Sequence, residues 1–388
     1  MIPQVRWSVK RSGDLGMRIA RAEVLGVAVP LAGSFRDAYV IKTTQKSIVV
    51  RLTSNDGSIG LGNIDPAGGY SPQTVEESLR ALNQTLVPAI LGLDPMNITG
   101  ILRKLDAVMS DYLEAKAAVE MACCDLMTRF LGIPIHTYFG GAVKDRLLFN
   151  GWIGLLSPDE AAQKASTLKR QGFRSAKIKV TENIKADRDR VKAVREAVGR
   201  DFNIRIDANG SYDPDTSIEL AHLLEPFGLQ LFEQPAPAND IKGMARVRRE
   251  GGGVPIMADE SVSDHASLID IIKAEAADIV KVKVMKQGGL VNTMRLITTA
   301  EGAGLRCVIG HGFGLGVSTI AETMLAATSS SVIDGLECIG PLHTTDDIIT
   351  KRLDISSGVL DLPAGPGLSV SLDEAKLARY CFSRQDHQ

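Results

Sequence analysis

The pattern of hydrophobic and polar positions changes period near residue 146. Before it, short runs alternate with period two, in MRIARAEVLGVAV from Met17 and again in KSIVVRLTSNDGSIGLG, with Asn55-Asp56-Gly57 as a tight-turn signal between two strands. Helical spacing follows over residues 72–91, 98–110 and 112–132, so residues 17–145 read as an α+β domain, a strand meander followed by helices. Residues 1–16 precede the first β-like run and read as an extension with no apolar segment of the signal-peptide kind. After residue 146, apolar runs near 147–154, 175–181, 203–208, 229–234, 255–260, 278–285, 306–310 and 332–338 alternate with amphipathic stretches such as 158–171 and 186–198. Eight strands joined by right-handed crossovers close into a TIM-type barrel more naturally than they form an open sheet, and no G-x-G-x-x-G turn follows the first strand. The expected barrel spans 146–355. Residues 356–388, turn-rich and then helical, leave it.

Five of the expected strands end in ionisable groups: Lys177-Ile-Lys179, Asp207, Glu233, Asp259 and Lys283. From Lys179 onward these are 28, 26, 26 and 24 residues apart, the length of one strand plus one helix. In a closed parallel barrel the C-terminal strand ends converge on one face. Three carboxylates gathered there would repel one another unless a divalent cation sat between them, and hard oxygen ligands suit Mg²⁺. Any one of the three alone would read more readily as a helix N-cap; it is the set at this spacing, bracketed by lysines, that points to a metal site. The lysines stand two strands before and two strands after the middle carboxylate, so they would face each other across the barrel mouth. Lys177 and Lys179 share one face of their strand, as do Lys281 and Lys283. Buried among other cations, such a lysine is expected to have a lowered pKa and to act as a general base.

Composition narrows the function classes. The chain has 388 residues, 44% of them hydrophobic, enough for a large core. A formal charge of -2 and a pI near 6.3 leave no basic excess for a nucleic-acid partner. No apolar run of about 18 residues marks a membrane span. Five scattered cysteines, without a C-x-x-C pair, point to a reducing cytoplasm, and the adjacent Cys123 and Cys124 read as inert core thiols.

The AKAAVEMACCDL helix with GIPIHTYFGG, the K-x-K of Lys177–Lys179, DANG, FEQP, ADES and KVMKQGG together resemble the mandelate racemase/muconate lactonizing enzyme family of the enolase superfamily, in its lysine–lysine, muconate lactonizing enzyme-like subgroup. The resemblance runs from about Met17 to Tyr380. It implies a modified (β/α)8 barrel of (β/α)7β type with an N-terminal α+β capping domain, to which the segment 356–388 returns. It also implies Asp207, Glu233 and Asp259 as Mg²⁺ ligands, Lys179 and Lys283 as opposed acid/base groups, Lys177 as the group that tunes Lys179, and Asn209 and Glu260 as supporting residues. Family members are typically homo-oligomers. Two departures fall where the pocket is shaped: IGHGFGLGVST replaces a glutamate-bearing seventh-strand pattern, and Gly60-Leu61-Gly62-Asn63 replaces G-W-G-E. Tyr39 and Tyr70 on the capping loops, His311 and Glu337 are the candidate substrate contacts. The expected chemistry is removal of the proton α to the carboxylate of a small acid, with racemisation or epimerisation favoured and cycloisomerisation or dehydration reachable from the same enolate. A metal-independent Schiff-base aldolase and a non-catalytic acid-binding barrel are the alternatives of other classes.

Overall fold

A computed structural model describes residues 16–36, 41–68, 70–181 and 183–388. The first sheet is antiparallel and built from β1 (Ile19–Arg36), β2 (Ile41–Ser54) and β3 (Ile59–Ile64). The turn between β2 and β3 forms where expected: Asp56 accepts from the Ser54 hydroxyl and, at 3.0 Å, from the Ser58 N–H, and Gly57 takes the positive φ of 86°. Residues 1–15, most of the expected extension, lie outside the described residues.

The helix Leu113–Phe130 lies across β3, and the approach is closer than any side chain would allow. A Cβ on Gly62 would stand 1.9 Å from the Ala118 carbonyl oxygen, and one on Gly60 2.1 Å from that of Ala122. The helix is buried all round because its other side meets the barrel. The Glu120 carboxylate accepts the Leu290 and Val291 N–H groups at 2.8 and 2.9 Å, satisfying the start of the helix Leu290–Gly302. Asp125 accepts from Leu61 N–H at 2.9 Å and Leu368 N–H at 2.7 Å, and pairs with Arg129.

The barrel chain begins with β4 (Arg146–Leu148) and β5 (Gly151–Ile153), split where one continuous strand was expected. It continues through β6 (Ser175–Lys179), β7 (Asn203–Asp207), β8 (Leu231–Glu233), β9 (Ile256–Ala258), β10 (Ile279–Val282) and β11 (Arg306–Ile309). Strands β5 to β11 are parallel and adjacent in chain order, with Lys179 opposite Asp207 and Asp207 opposite Glu233. The expected eighth strand, 332–338, is not a regular strand. It fills the eighth place through bridges of Val332 to Cys307 and Leu336 to Phe149, with Glu337 N–H on Ile309 O at 2.9 Å and Asn150 N–H on Leu336 O at 2.8 Å. Arg205, on β7, holds it from inside by donating to the carbonyls of Asp334 and Gly335. The result is a modified TIM barrel.

The C-terminal segment supplies β12 (Val359–Asp361), antiparallel to β4, then the helix Glu374–Tyr380 and β13 (Cys381–His387). β13 pairs antiparallel with β1, Ala22 opposite His387, giving the first sheet the order β13-β1-β2-β3. Among the described residues no helix is long and apolar enough to cross a membrane.

Candidate active site

Each βα step delivers its last residue to the same mouth. Lys179, Asp207 and Glu233 are the final residues of β6, β7 and β8, while Asp259 and Lys283 each follow the last residue of β9 and β10. Lys177, Lys179, Asp207, Asp259, Lys281 and Lys283 line one cavity, with Asp65, Tyr70, Asn209, His311 and Glu337. Glu233 lies just behind, fully buried.

Each carboxylate leans on lysines. Asp207 Oδ2 is 2.6 Å from Lys179 Nζ and 3.1 Å from Lys177 Nζ; Glu233 meets Lys177 and Lys281, each at 2.9 Å; Asp259 pairs with Lys283. Among the described residues no three His, Cys, Asp or Glu side chains converge on a common point. Burial opposes ionisation of Asp207, yet the surrounding lysines hold it down at about 2, and Asp259 is likewise held well below the carboxylate range. For Glu233 burial and the nearby Asp207 charge win, and it is pushed up to about 8 despite Lys177 and Lys281. The expected lowering of the lysines is not found at Lys177, Lys281 or Lys283. Burial alone would lower all three, but Glu233 and Glu337 around Lys177 and Lys281, and Asp259 beside Lys283, raise them.

Supporting residues fix these groups. Asn209 sits in the left-handed region (φ 46°), donates its N–H to Asp207 Oδ1 at 3.0 Å and its amide to Glu260 at 2.9 Å, and accepts from Lys179. Gln234, also left-handed at φ 38° and buried, accepts the Asp259 N–H at 3.0 Å and so orients the loop that carries that carboxylate. Glu260 is half-buried, with its Oε2 buried and unpaired, and its pKa is raised, by desolvation first and then by Asp259 and Asp207.

Of the candidate substrate contacts, Tyr70 lines the cavity, its ring 4.9 Å from Lys283 Nζ and 3.6 Å from Lys286 Nζ. Glu337 borders the cavity too, but its carboxylate is taken by Lys177 at 2.6 Å, Lys281 and Arg205 at 3.2 Å. It belongs to the ion network under the mouth rather than to a free contact surface. His311 borders the cavity with both ring nitrogens engaged, Nδ1 with Glu322 at 3.1 Å and Nε2 with Asp65 at 3.3 Å. Tyr39 lies outside the described residues.

Several residues were not singled out from the sequence. Arg205 forms, with Lys177 and Lys281, a cationic layer one pleat below the strand ends. The repeated K-x-K, R-x-D, K-x-K spacing carried that signal. Asp65, Gln234 and Glu322 had no such signature. Trp152, His343 and Phe313 also line the cavity. Their neighbouring ring centroids are 6.1 and 5.4 Å apart, and Lys42 Nζ lies 3.5 Å from the Phe313 centroid.

Strand-end lysines opposed across three carboxylates, in a barrel closed by an α+β cap, define an enolase-type architecture. Residues 20–140 match the N-terminal domain model of the mandelate racemase / muconate lactonizing enzyme family, and residues 160–376 the enolase C-terminal domain-like model. The N-succinyl-L-Arg/Lys racemase of Bacillus cereus is 32% identical over 362 residues, 93% of this chain and 97% of that protein. Its crystal structure superposes with a TM-score of 0.91 at 30% identity, covering 96% of this chain and 100% of that one. Muconate cycloisomerase 1 of Rhodococcus opacus is 30% identical over 92% of this chain and 96% of its own length. A dipeptide epimerase from Enterococcus faecalis, solved with Mg and the dipeptide L-Leu-L-Tyr, has a TM-score of 0.87 at 29% identity, covering 91% of this chain and 99% of that one. The chain belongs to the mandelate racemase / muconate lactonizing enzyme family, and with these relatives it is an isomerase of the enolase superfamily.

Proposed function

We propose that this enzyme moves a proton at the carbon α to a carboxylate, and that it racemises or epimerises a small amino-acid-like acid. The observation that carries the reading is the placement of Lys179 and Lys283 on β6 and just after β10, with three strands between them in the barrel, and Asp207, Glu233 and Asp259 at the ends of those three. One lysine removes the proton from one face of the carbon and the other returns a proton to the opposite face. Asn209 and Asp207 orient the Lys179 ammonium, and Asp259 that of Lys283.

Asp207, Glu233 and Asp259 fit a hard divalent cation: all three donors are carboxylates on adjacent strand ends, and Glu233 is an acid that burial and its neighbour have made costly to ionise, a cost that a cation relieves. When bound there, Mg²⁺ supplies positive charge for the substrate carboxylate, whose oxygens gain electron density as the α-proton leaves. The Mg-bound epimerase relative supports that choice of ion. Cycloisomerisation of an unsaturated diacid is the second reading, supported by the muconate cycloisomerase relatives.

Proton NMR in D₂O with Mg²⁺ tests both. The panel comprises N-acyl amino acids, dipeptides, proline betaines, hydroxyprolines, muconate and sugar acids. Loss of an α-proton signal, abolished by chelator and by Lys179→Ala with Lys283→Ala, is the expected result; lactone signals from muconate would favour the second reading. Exchange that survived without metal would refute the proposal, and trapping by borohydride would point to a Schiff base instead.

A further inference from the structure

The two lysines are not held alike. The side chain of Lys179 is 18% exposed and that of Lys283 only 3%. Around Lys283 the contacts form a closed ring. Glu322 accepts the N–H of Val284, the residue after Lys283, at 3.2 Å, and the same carboxylate meets His311 Nδ1. His311 Nε2 meets Asp65 at the end of β3 in the cap, and Asp65 also accepts the Ser47 hydroxyl and, at 3.0 Å, the Ser318 hydroxyl. Shortly after Asp65, the Tyr70 and Ser71 N–H groups both donate to Ala67 O, and the Tyr70 ring lies over Lys283. Asp65 is 2% exposed and Glu322 1%.

A carboxylate on each ring nitrogen favours the doubly protonated ring: Glu322 and Asp65 outweigh the lowering by burial and push His311 up to about 9. With both ring nitrogens engaged, neither is free to take a substrate proton. We propose that Asp65, His311 and Glu322 are positioning residues that hold Tyr70 of the cap over Lys283, so that the Lys283 face of the reacting carbon is closed by the cap while, among the described residues, the Lys179 face is not. The inference rests on the proton-transfer function proposed above. It assigns His311 to holding the cap rather than to acid/base chemistry, and it makes the two half-reactions separable.

The experiment follows α-proton exchange in D₂O for the separate enantiomers of the panel member that exchanges fastest. The exchange that survives Lys179→Ala identifies the enantiomer facing Lys283, and the converse variant identifies the other. Asp65→Asn, which keeps the side-chain shape and removes the charge, is expected to slow exchange on the Lys283 face by about tenfold or more, and on the Lys179 face by no more than about twofold. Tyr70→Leu, which leaves the buried ion chain untouched, is expected to give the same one-sided loss. Tyr70→Phe, which keeps the ring, should hold the Lys283-face rate above that of Tyr70→Leu. Equal slowing of both faces in Asp65→Asn and Tyr70→Leu, or no slowing of either, would overturn the inference while leaving the proton-transfer function standing. A wild-type enzyme that exchanged no panel member at either face would instead overturn that function and this inference with it.

Discussion

Replacing Arg205 with methionine tests how the barrel is closed. Arg205 is fully buried, and its guanidinium donates to Gln230 Oε1 and Gly335 O at 2.7 Å each, to Asp334 O, and to Glu337 Oε1 at 3.2 Å. Methionine keeps much of the volume but leaves two carbonyls, an amide oxygen and a carboxylate without this donor. A hydrogen bond to a charged group contributes about 1.5–3 kcal/mol, but the four share one side chain and do not add. Breaking one side of a buried ion pair costs about 3–5 kcal/mol, and that is the expected loss. Equilibrium urea unfolding should show the midpoint falling by about 1 M or more. Hydrogen exchange should show where: the Ile333 and Glu337 amides, which bond to Cys307 O and Ile309 O, lose protection, while those pairing β1 with β2 keep theirs. Arg205→Lys, which keeps the charge without the planar fork, should fall between. A loss below about 1 kcal/mol with the 331–337 amides still protected would refute the view that one guanidinium stands in for the missing eighth strand.

Three further outcomes follow from the same contacts. His311 is raised to about 9 from an unfolded value of about 6.5, so its stabilising contribution is complete below about pH 6.5 and is lost as pH rises through about 9; the facing groups are Asp65, Glu322 and, further off, Glu114. The melting-temperature gap between wild type and His311→Asn should therefore shrink from pH 6.5 to 9.5, and a constant gap would contradict the imidazolium. Mg²⁺ at about a hundredfold over its dissociation constant should stabilise the folded enzyme by about 2.7 kcal/mol, with chelator reversing the gain and Asp207→Asn abolishing it; a variant that kept the full thermal shift would remove Asp207 from the ligand set. Gly62→Ala forces a methyl group toward the Ala118 carbonyl and should cost at least about 1–3 kcal/mol by thermal melt, whereas Gly57→Ala, in open space, should cost only its strained φ.

Much of the site was legible because strand ends and strand faces have fixed periods. The spacing of Lys179, Asp207, Glu233, Asp259 and Lys283 depends only on βα repeat length, which the chain itself displays. Arg205 was equally visible, two residues before Asp207 on the same face, yet a charged residue inside an apolar strand reads as an exception until its partners at 334–337 are known. Asp65 was not legible: its role arises because the cap docks on the barrel, bringing together residues 246 apart in the chain. The eighth strand was overread for a related reason. Its apolar run is genuine, but a side chain from β7 supplies part of what ladder hydrogen bonds would otherwise provide. The lysine pKa values departed from expectation because charge neighbours, not burial alone, decide the sign.

The pairing of β13 with β1 also bears on how the molecule is assembled. Ala22 and His387 are joined across nearly the whole polypeptide, so the first sheet acquires its outer strand only after the entire barrel has been threaded between its two contributors. Local βα units can form early and cheaply, whereas this contact waits for the longest loop in the chain to close. β1 is thus held on one side by its sequence neighbour β2 and on the other by the C-terminal β13. The outer edge of the cap's sheet is therefore supplied from the far side of the barrel, and removing residues 381–387 would leave β1 as an unpaired edge strand.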